Sequence, residues 1–181
     1  MAGRIEVWSA AQAAGYLAFV LGVTAFLQKK DQRLKFFNAS QGVVYALHFL
    51  WLGNAAASSS ALVSAARSFL ALRFRSWVLA VAIVMVNVAA GMAVVKSPAG
   101  WLPVVASSAA TIAIFTMAGI PLRCVLLGST AMWLTNNILS RSIGGTMLEV
   151  VIAGTNVTTI IRMARRGKSD ARPTTSRLGT S

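Results

Sequence analysis

Seven apolar runs, joined by connections too short to hold a domain, set the terms for this chain. They cover residues 8–27, 36–52, 55–72, 77–95, 101–120, 123–139 and 142–163. A helix needs ~20 mostly apolar residues to cross the hydrocarbon of a bilayer. Charged residues make up 12% of the sequence, against roughly 25% in a soluble domain. The chain therefore reads as an all-α membrane protein with seven transmembrane helices and the lipid bilayer as its first partner. Its net charge of +13 would suggest nucleic acid in a soluble protein. Here the basic residues lie between the runs and in the tail, where topology accounts for them, and no nucleic-acid partner is expected. The first run follows a single basic residue, Arg4, and no small-residue cleavage site leads into a soluble region. It reads as a retained span, not a signal peptide.

Orientation follows from lysine and arginine, which stay with cytoplasmic connections. One side of the membrane would hold Lys29, Lys30, Arg33 and Lys35, then Arg73 and Arg75, then Arg123, then the basic tail from Arg162 to Arg177; the other holds only Arg4, Lys96 and Arg141. The N-terminus is thus expected in the periplasm and the C-terminus in the cytoplasm of a bacterial inner membrane. Trp8, Trp51 and Trp101 would then share the outer interface, where indoles are favoured. The polar tail, residues 165–181, lacks periodicity and reads as disordered.

The second half echoes the first. LGNAAASSSALVSAARSFLALRFR begins at Leu52, and RSIGGTMLEVVIAGTNVTTIIRMA begins at Arg141. A constant shift places Ser60 on Glu149, Arg67 on Asn156 and Arg73 on Arg162. Residues 1–75 and 97–164 then form two three-helix repeats, and residues 76–96 a linker helix. Both units start outside, so the repeats are parallel, related by an axis along the membrane normal, in a 3-1-3 arrangement. Hydropathy, loop charge and span number carry this reading, since few residues are identical between the halves.

Three passages resemble the YgjV family of bacterial inner-membrane proteins: SIGGTMLE from Ser142, LGNAAASSSALVSAARS from Leu52, and KKDQRLK from Lys29. The resemblance covers nearly the whole chain apart from the tail and implies a multi-pass inner-membrane protein without implying a reaction. At fold level the 3-1-3 order also resembles the SWEET and PQ-loop transporters. Their pockets use asparagines on spans three and seven and aromatics on spans two and six. Asn156 and Trp133 match that pattern in the second unit, whereas Arg67 and Val44 depart from it in the first. The proline-glutamine signature is broken as well, with Pro103 opening span five but Ala11-Gln12 in span one.

Polar groups inside a membrane are costly and mark sites by default. They gather here on four helical faces, at spacings of three, four and seven: Gln41, Tyr45 and His48; Ser60, Ser64 and Arg67; Ser129, Trp133 and Asn136, with Asn137 beside them; and Gly145, Glu149, Asn156 and Thr159. The candidate solute-binding residues are Arg67, Glu149, Asn156, Trp133, Asn136, Asn137, Ser64 and Gln41. Arg67 is expected to face inward, within reach of Glu149, Asn156 or water. Pairing with Glu149, the only acid inside the spans, and a contact to substrate are both open to it. Glu149 could equally serve as a proton site, the asparagines as glue between helices, and Trp133 as a stacking platform or as packing. His48 reads as a hydrogen-bonded packing residue.

The lone Cys124 excludes an internal disulfide, and one histidine with four acids leaves little for a metal. No cofactor, metal or catalytic residue is expected. HExxH and GxSxG motifs are absent, and span seven has no lysine for a retinal Schiff base. The expectation is a non-enzymatic transporter or facilitator of a small polar or anionic solute. A membrane scaffold with structural polar residues is the alternative, and a homo-oligomer fits either.

Overall fold

The computed structural model of the protein describes residues 9–27, 31–70, 73, 74, 76–117 and 119–170, with the side chains of 26, 27, 31–35 and 166–170 left aside. Among these residues are seven α-helices and no strand: α1 (Ala10–Leu27), α2 (Asp31–Trp51), α3 (Ala55–Leu70), α4 (Trp77–Val94), α5 (Trp101–Thr116), α6 (Gly119–Leu139) and α7 (Ile143–Asp170), with a short 3-10 turn at Pro98–Gly100 before α5. Each falls on one of the seven apolar runs. Trp77–Val94, Pro98–Thr116 and Ile143–Arg165 are long and apolar enough to cross a membrane, and Ala10–Ala25 is apolar but shorter.

Four ends differ from the hydropathy boundaries by four residues or more, α5 stopping at Thr116 and not at Ile120. The second helix begins at Asp31, inside the basic connection, the sixth begins at Gly119 rather than Arg123, and the seventh continues to Asp170. The expected disordered tail from Arg165 is therefore helical through Asp170, and residues 171–181 lie outside those described. Hydropathy reports where lipid stops, whereas a helix ends where its backbone bonds do. Nothing in RRGKSD obliges it to break at the membrane surface.

The two connections that matter most, α2–α3 and α6–α7, are the same turn. Gly53, at φ 76°, follows α2, and Arg141, at φ 55°, follows α6. In the first turn the Gly53 amide donates to the Leu50 carbonyl at 3.0 Å and Asn54 to Phe49 at 2.9 Å; in the second, Arg141 donates to Ile138 at 3.1 Å and Ser142 to Asn137 at 2.9 Å. This is the Schellman closure of a helix C-terminus. The next residue then caps the following helix. Asn54 Oδ1 accepts the Ala57 amide at 2.9 Å, and Ser142 Oγ accepts the Gly145 amide at 3.1 Å, each satisfying one orphan donor of a helix start. These landmarks pair Gly53 with Arg141 and Asn54 with Ser142. The spacing between these turns is one residue shorter than the shift that sets Arg67 on Asn156.

Packing closes six helices into a ring in the order α1, α2, α3, α5, α6, α7 and back to α1, and α4 packs outside it on α3 and α5. Small residues allow the approach. A Cβ on Gly144 would collide with the backbone of Gly15 and Tyr16 where α7 meets α1, and one on Gly42 would lie 2.8 Å from the Ala65 methyl where α2 meets α3. The outer helix α4 buries only a stripe of Ala80, Ile83, Asn87 and Gly91. Asn87 fastens it to α5 by donating to the Val104 carbonyl at 2.9 Å and to Ser108 Oγ at 3.0 Å. Its other face carries Trp77, Met85 and Met92, among the most exposed large apolar side chains, as a lipid-facing surface would.

Candidate functional site

Inside the ring lies a cavity of about 170 Å³, bordered by α2, α3, α5, α6 and α7. Five of the eight residues singled out from sequence line it: Gln41, Ser64, Arg67, Trp133 and Glu149. They come from four helices, which is what convergent polar faces require.

Arg67 faces inward, as its position predicts, but its partners are on α5. Its Nη1 donates to Thr111 Oγ1 at 3.0 Å and to the Ser107 carbonyl at 3.3 Å, and the Thr111 hydroxyl in turn donates to that carbonyl at 2.7 Å. Ser64, one turn earlier on α3, donates to Ser107 Oγ at 3.2 Å. Neither Glu149 nor Asn156 bonds to Arg67. Arg123, at the start of α6, donates to Asn156 Oδ1 at 3.1 Å. Ser107 and Thr111 do not belong to the four polar faces read from sequence; their signal is a pair of hydroxyls four apart in the fifth span, which marks one helical face.

Glu149 is 6% exposed, and among the described residues its carboxyl has no hydrogen-bond or ion-pair partner. It borders the same cavity as Arg67 without meeting it. Close by is an aromatic wall. Tyr45 and Trp133 ring centroids stand 5.9 Å apart, and Phe49 packs at 4.7 Å from the first and 5.8 Å from the second. Trp133 thus both packs and borders the cavity.

The three asparagines take other places. Asn137 is fully buried, accepting the Tyr45 hydroxyl at 2.8 Å and donating to the Trp133 carbonyl at 2.9 Å. Asn136 accepts Asn54 Nδ2 at 2.9 Å and borders a separate cleft of about 400 Å³ between the α2–α3 turn and the α4–α5 connection. Asn156 is held by Arg123. Asn137 and Asn156 bond helix to helix, Asn136 bonds the α2–α3 turn, and none lines the central cavity. Ser60 is buried as well, its hydroxyl without a partner.

Where α1 meets the α6–α7 turn, a hydrogen-bonded lock joins the two. Gln12 Nε2 donates to the Arg141 carbonyl at 2.7 Å, and its Oε1 accepts the Ile143 amide at 3.1 Å. The buried imidazole of His48 lies 2.5 Å from the Ala11 carbonyl and 2.6 Å from Ser142 Oγ. A carbonyl only accepts, so Nδ1 carries the proton, and in the neutral ring Nε2 accepts from the Ser142 hydroxyl. His48 is a bonded packing residue, as the sequence suggests. Ser142 serves both His48 and the α7 cap, so Ser142→Ala should cost about 1–3 kcal/mol. Thermal melting in detergent measures it, with Thr158→Ala, an exposed hydroxyl bonded only within α7, as the near-neutral control.

The family model for Imp-YgjV, a bacterial inner membrane protein, matches residues 9–167. Inner membrane protein YgjV of Escherichia coli (strain K12) is 37% identical over 161 residues, which is 87% of each chain. The chain belongs to this family of bacterial inner membrane proteins. No solved structure matches it.

Proposed function

We propose that the protein is a seven-span transporter or facilitator of a small polar or anionic solute, built as two parallel three-helix units with α4 between them. The carrying observation is the cavity. Charged and polar side chains from four helices border one shared space, and Arg67 and Glu149 do not pair across it, as a solute site needs and a dry scaffold does not. Arg67 suits a carboxylate or phosphate, which a guanidinium binds through paired N–H groups. The repeat reading draws support from the packing: exchanging the two units turns the α1–α7 contact into α5–α3, and the two Schellman turns are alike. No enzymatic role, cofactor or nucleic acid enters this reading, and a homo-oligomer is compatible with it.

Orientation is tested by reporters active only in the cytoplasm. One fused after Ser181 should be active, and one inserted near Ser97 silent; activity at both contradicts seven spans with the N-terminus outside. The wet cavity is tested by thiol labelling in detergent. Cys124 is the sole cysteine and is exposed, so Cys124→Ser clears the background. In it, Ser64→Cys should react with a charged methanethiosulfonate and Ser60→Cys, at a fully buried position, should not. Equal protection of both would favour a packed scaffold.

A further inference from the structure

The cavity is bordered by two side chains able to carry opposite charges, Arg67 and Glu149, that do not bond to each other. Arg67 bonds through Nη1 alone, leaving Nε and Nη2 without a protein partner among the described residues. Glu149 is nine-tenths buried, and its carboxyl has no bonded partner among the described residues. A buried ion without a counter-charge is expensive, and a protein with both ions in one cavity relieves the cost most simply by pairing them. Here α5 draws Arg67 aside: the Ser107 carbonyl and the Thr111 hydroxyl hold its Nη1. The two charged ends are thereby kept apart, with space between.

Their surroundings differ in kind. Around Arg67 stand hydroxyls, Ser64 on its own helix and Ser107 on α5, which suit the oxygens of an anion. Tyr45 and Trp133, whose ring faces favour a cation, border the same cavity as Glu149. A carboxylate beside aromatic faces is a site for an ammonium, and a guanidinium among hydroxyls is a site for a carboxylate or phosphate.

We propose that the solute is a small zwitterion, its anionic group on Arg67 and its ammonium group on Glu149 against Trp133 and Tyr45. This rests on the cavity being a solute site and narrows what the site takes. A molecule carrying both charges satisfies both residues at once, whereas an anion alone leaves Glu149 bare.

Isothermal titration of the purified full chain uses glycine, β-alanine, γ-aminobutyrate and phosphoethanolamine as probes, with acetate, inorganic phosphate and methylamine as half-ligands. At least one zwitterion should bind at least tenfold more tightly than either half-ligand of the same end groups, since it adds one charge contact to each, worth about 1.5–3 kcal/mol. Glu149→Gln should abolish that preference while anion binding persists, and Arg67→Gln should remove both. Half-ligand anions binding as well as the zwitterions, or Glu149→Gln leaving the preference intact, would overturn the zwitterion and leave a solute site for anions or neutral molecules. The comparison within the wild-type protein needs no variant to fold. Silence from every probe would also overturn the zwitterion, and the thiol labelling of Ser64→Cys then decides the wider reading separately.

Discussion

Gly144→Ala should cost the protein about 1–3 kcal/mol of stability, the range for forcing atoms into a packed interior, and in cells should sharply lower the amount of folded protein. The added methyl would meet the backbone of Gly15 and Tyr16. Backbone cannot swing aside as a side chain can, so α1 must move off α7. That movement would pull at the bonds Gln12 makes to Arg141 and Ile143, and at the His48 bridge between Ala11 and Ser142. The damage is thus passed to the α6–α7 turn. Gly154→Ala is the control: it lies on the exposed side of the same helix, where a Cβ would meet nothing within 4 Å. It should be neutral, or gain up to ~1 kcal/mol from helix propensity. Melting curves of the two variants in one detergent make the comparison, and similar losses in both would mean that the glycine acts through backbone freedom and not through close approach.

Arg67→Ala should leave a folded protein. Its two bonds to α5 are interhelical hydrogen bonds, worth on average ~0.6 kcal/mol each within membranes, and Thr111 keeps its own bond to Ser107. The expected cost is therefore about 1 kcal/mol of stability, alongside a loss of at least tenfold, or ~1.4 kcal/mol, in affinity for an anionic group. Because no ion pair joins Arg67 to Glu149, adding Glu149→Gln should not restore what Arg67→Ala removes. A double variant more stable than the single one would identify the pair as a structural salt bridge made in the membrane. Melting temperatures of the wild type, the two single variants and the double variant complete the cycle.

How much of this was legible beforehand follows from what lipid does to a sequence. Its demand for apolar residues marks each of the seven helices, so their number and middles could be read directly. Their ends could not, because α2 and α7 continue through polar residues that water tolerates, and the break between α5 and α6 falls within an apolar stretch. The inward direction of Arg67 was legible from the cost of the alternative. Its partner was not: only the ring order sets α5 beside α3, and no periodicity within a helix reveals which neighbour it has. The same limit explains the asparagines. Asn136 and Asn137 shared a helical face with Trp133 on paper, yet a face a few residues wide touches more than one neighbour. Asn137 meets Tyr45 and Asn136 meets the Asn54 turn, while Trp133 alone borders the cavity. Ser60 and Glu149 were matched by a constant shift, but the two turns pair one residue differently, and Ser60 is packed dry while Glu149 borders open space.

The central claim is that these side chains surround a site for a solute. The most direct measurement is a thermal-shift screen of the purified wild-type protein against a library of small polar and anionic metabolites, repeated on Arg67→Ala. The account predicts that at least one compound raises the wild-type melting temperature in proportion to the logarithm of its concentration once the site is well filled, and leaves Arg67→Ala unmoved. If no compound shifts the wild type, or every compound that does shifts Arg67→Ala equally, the cavity is not a solute site built around Arg67.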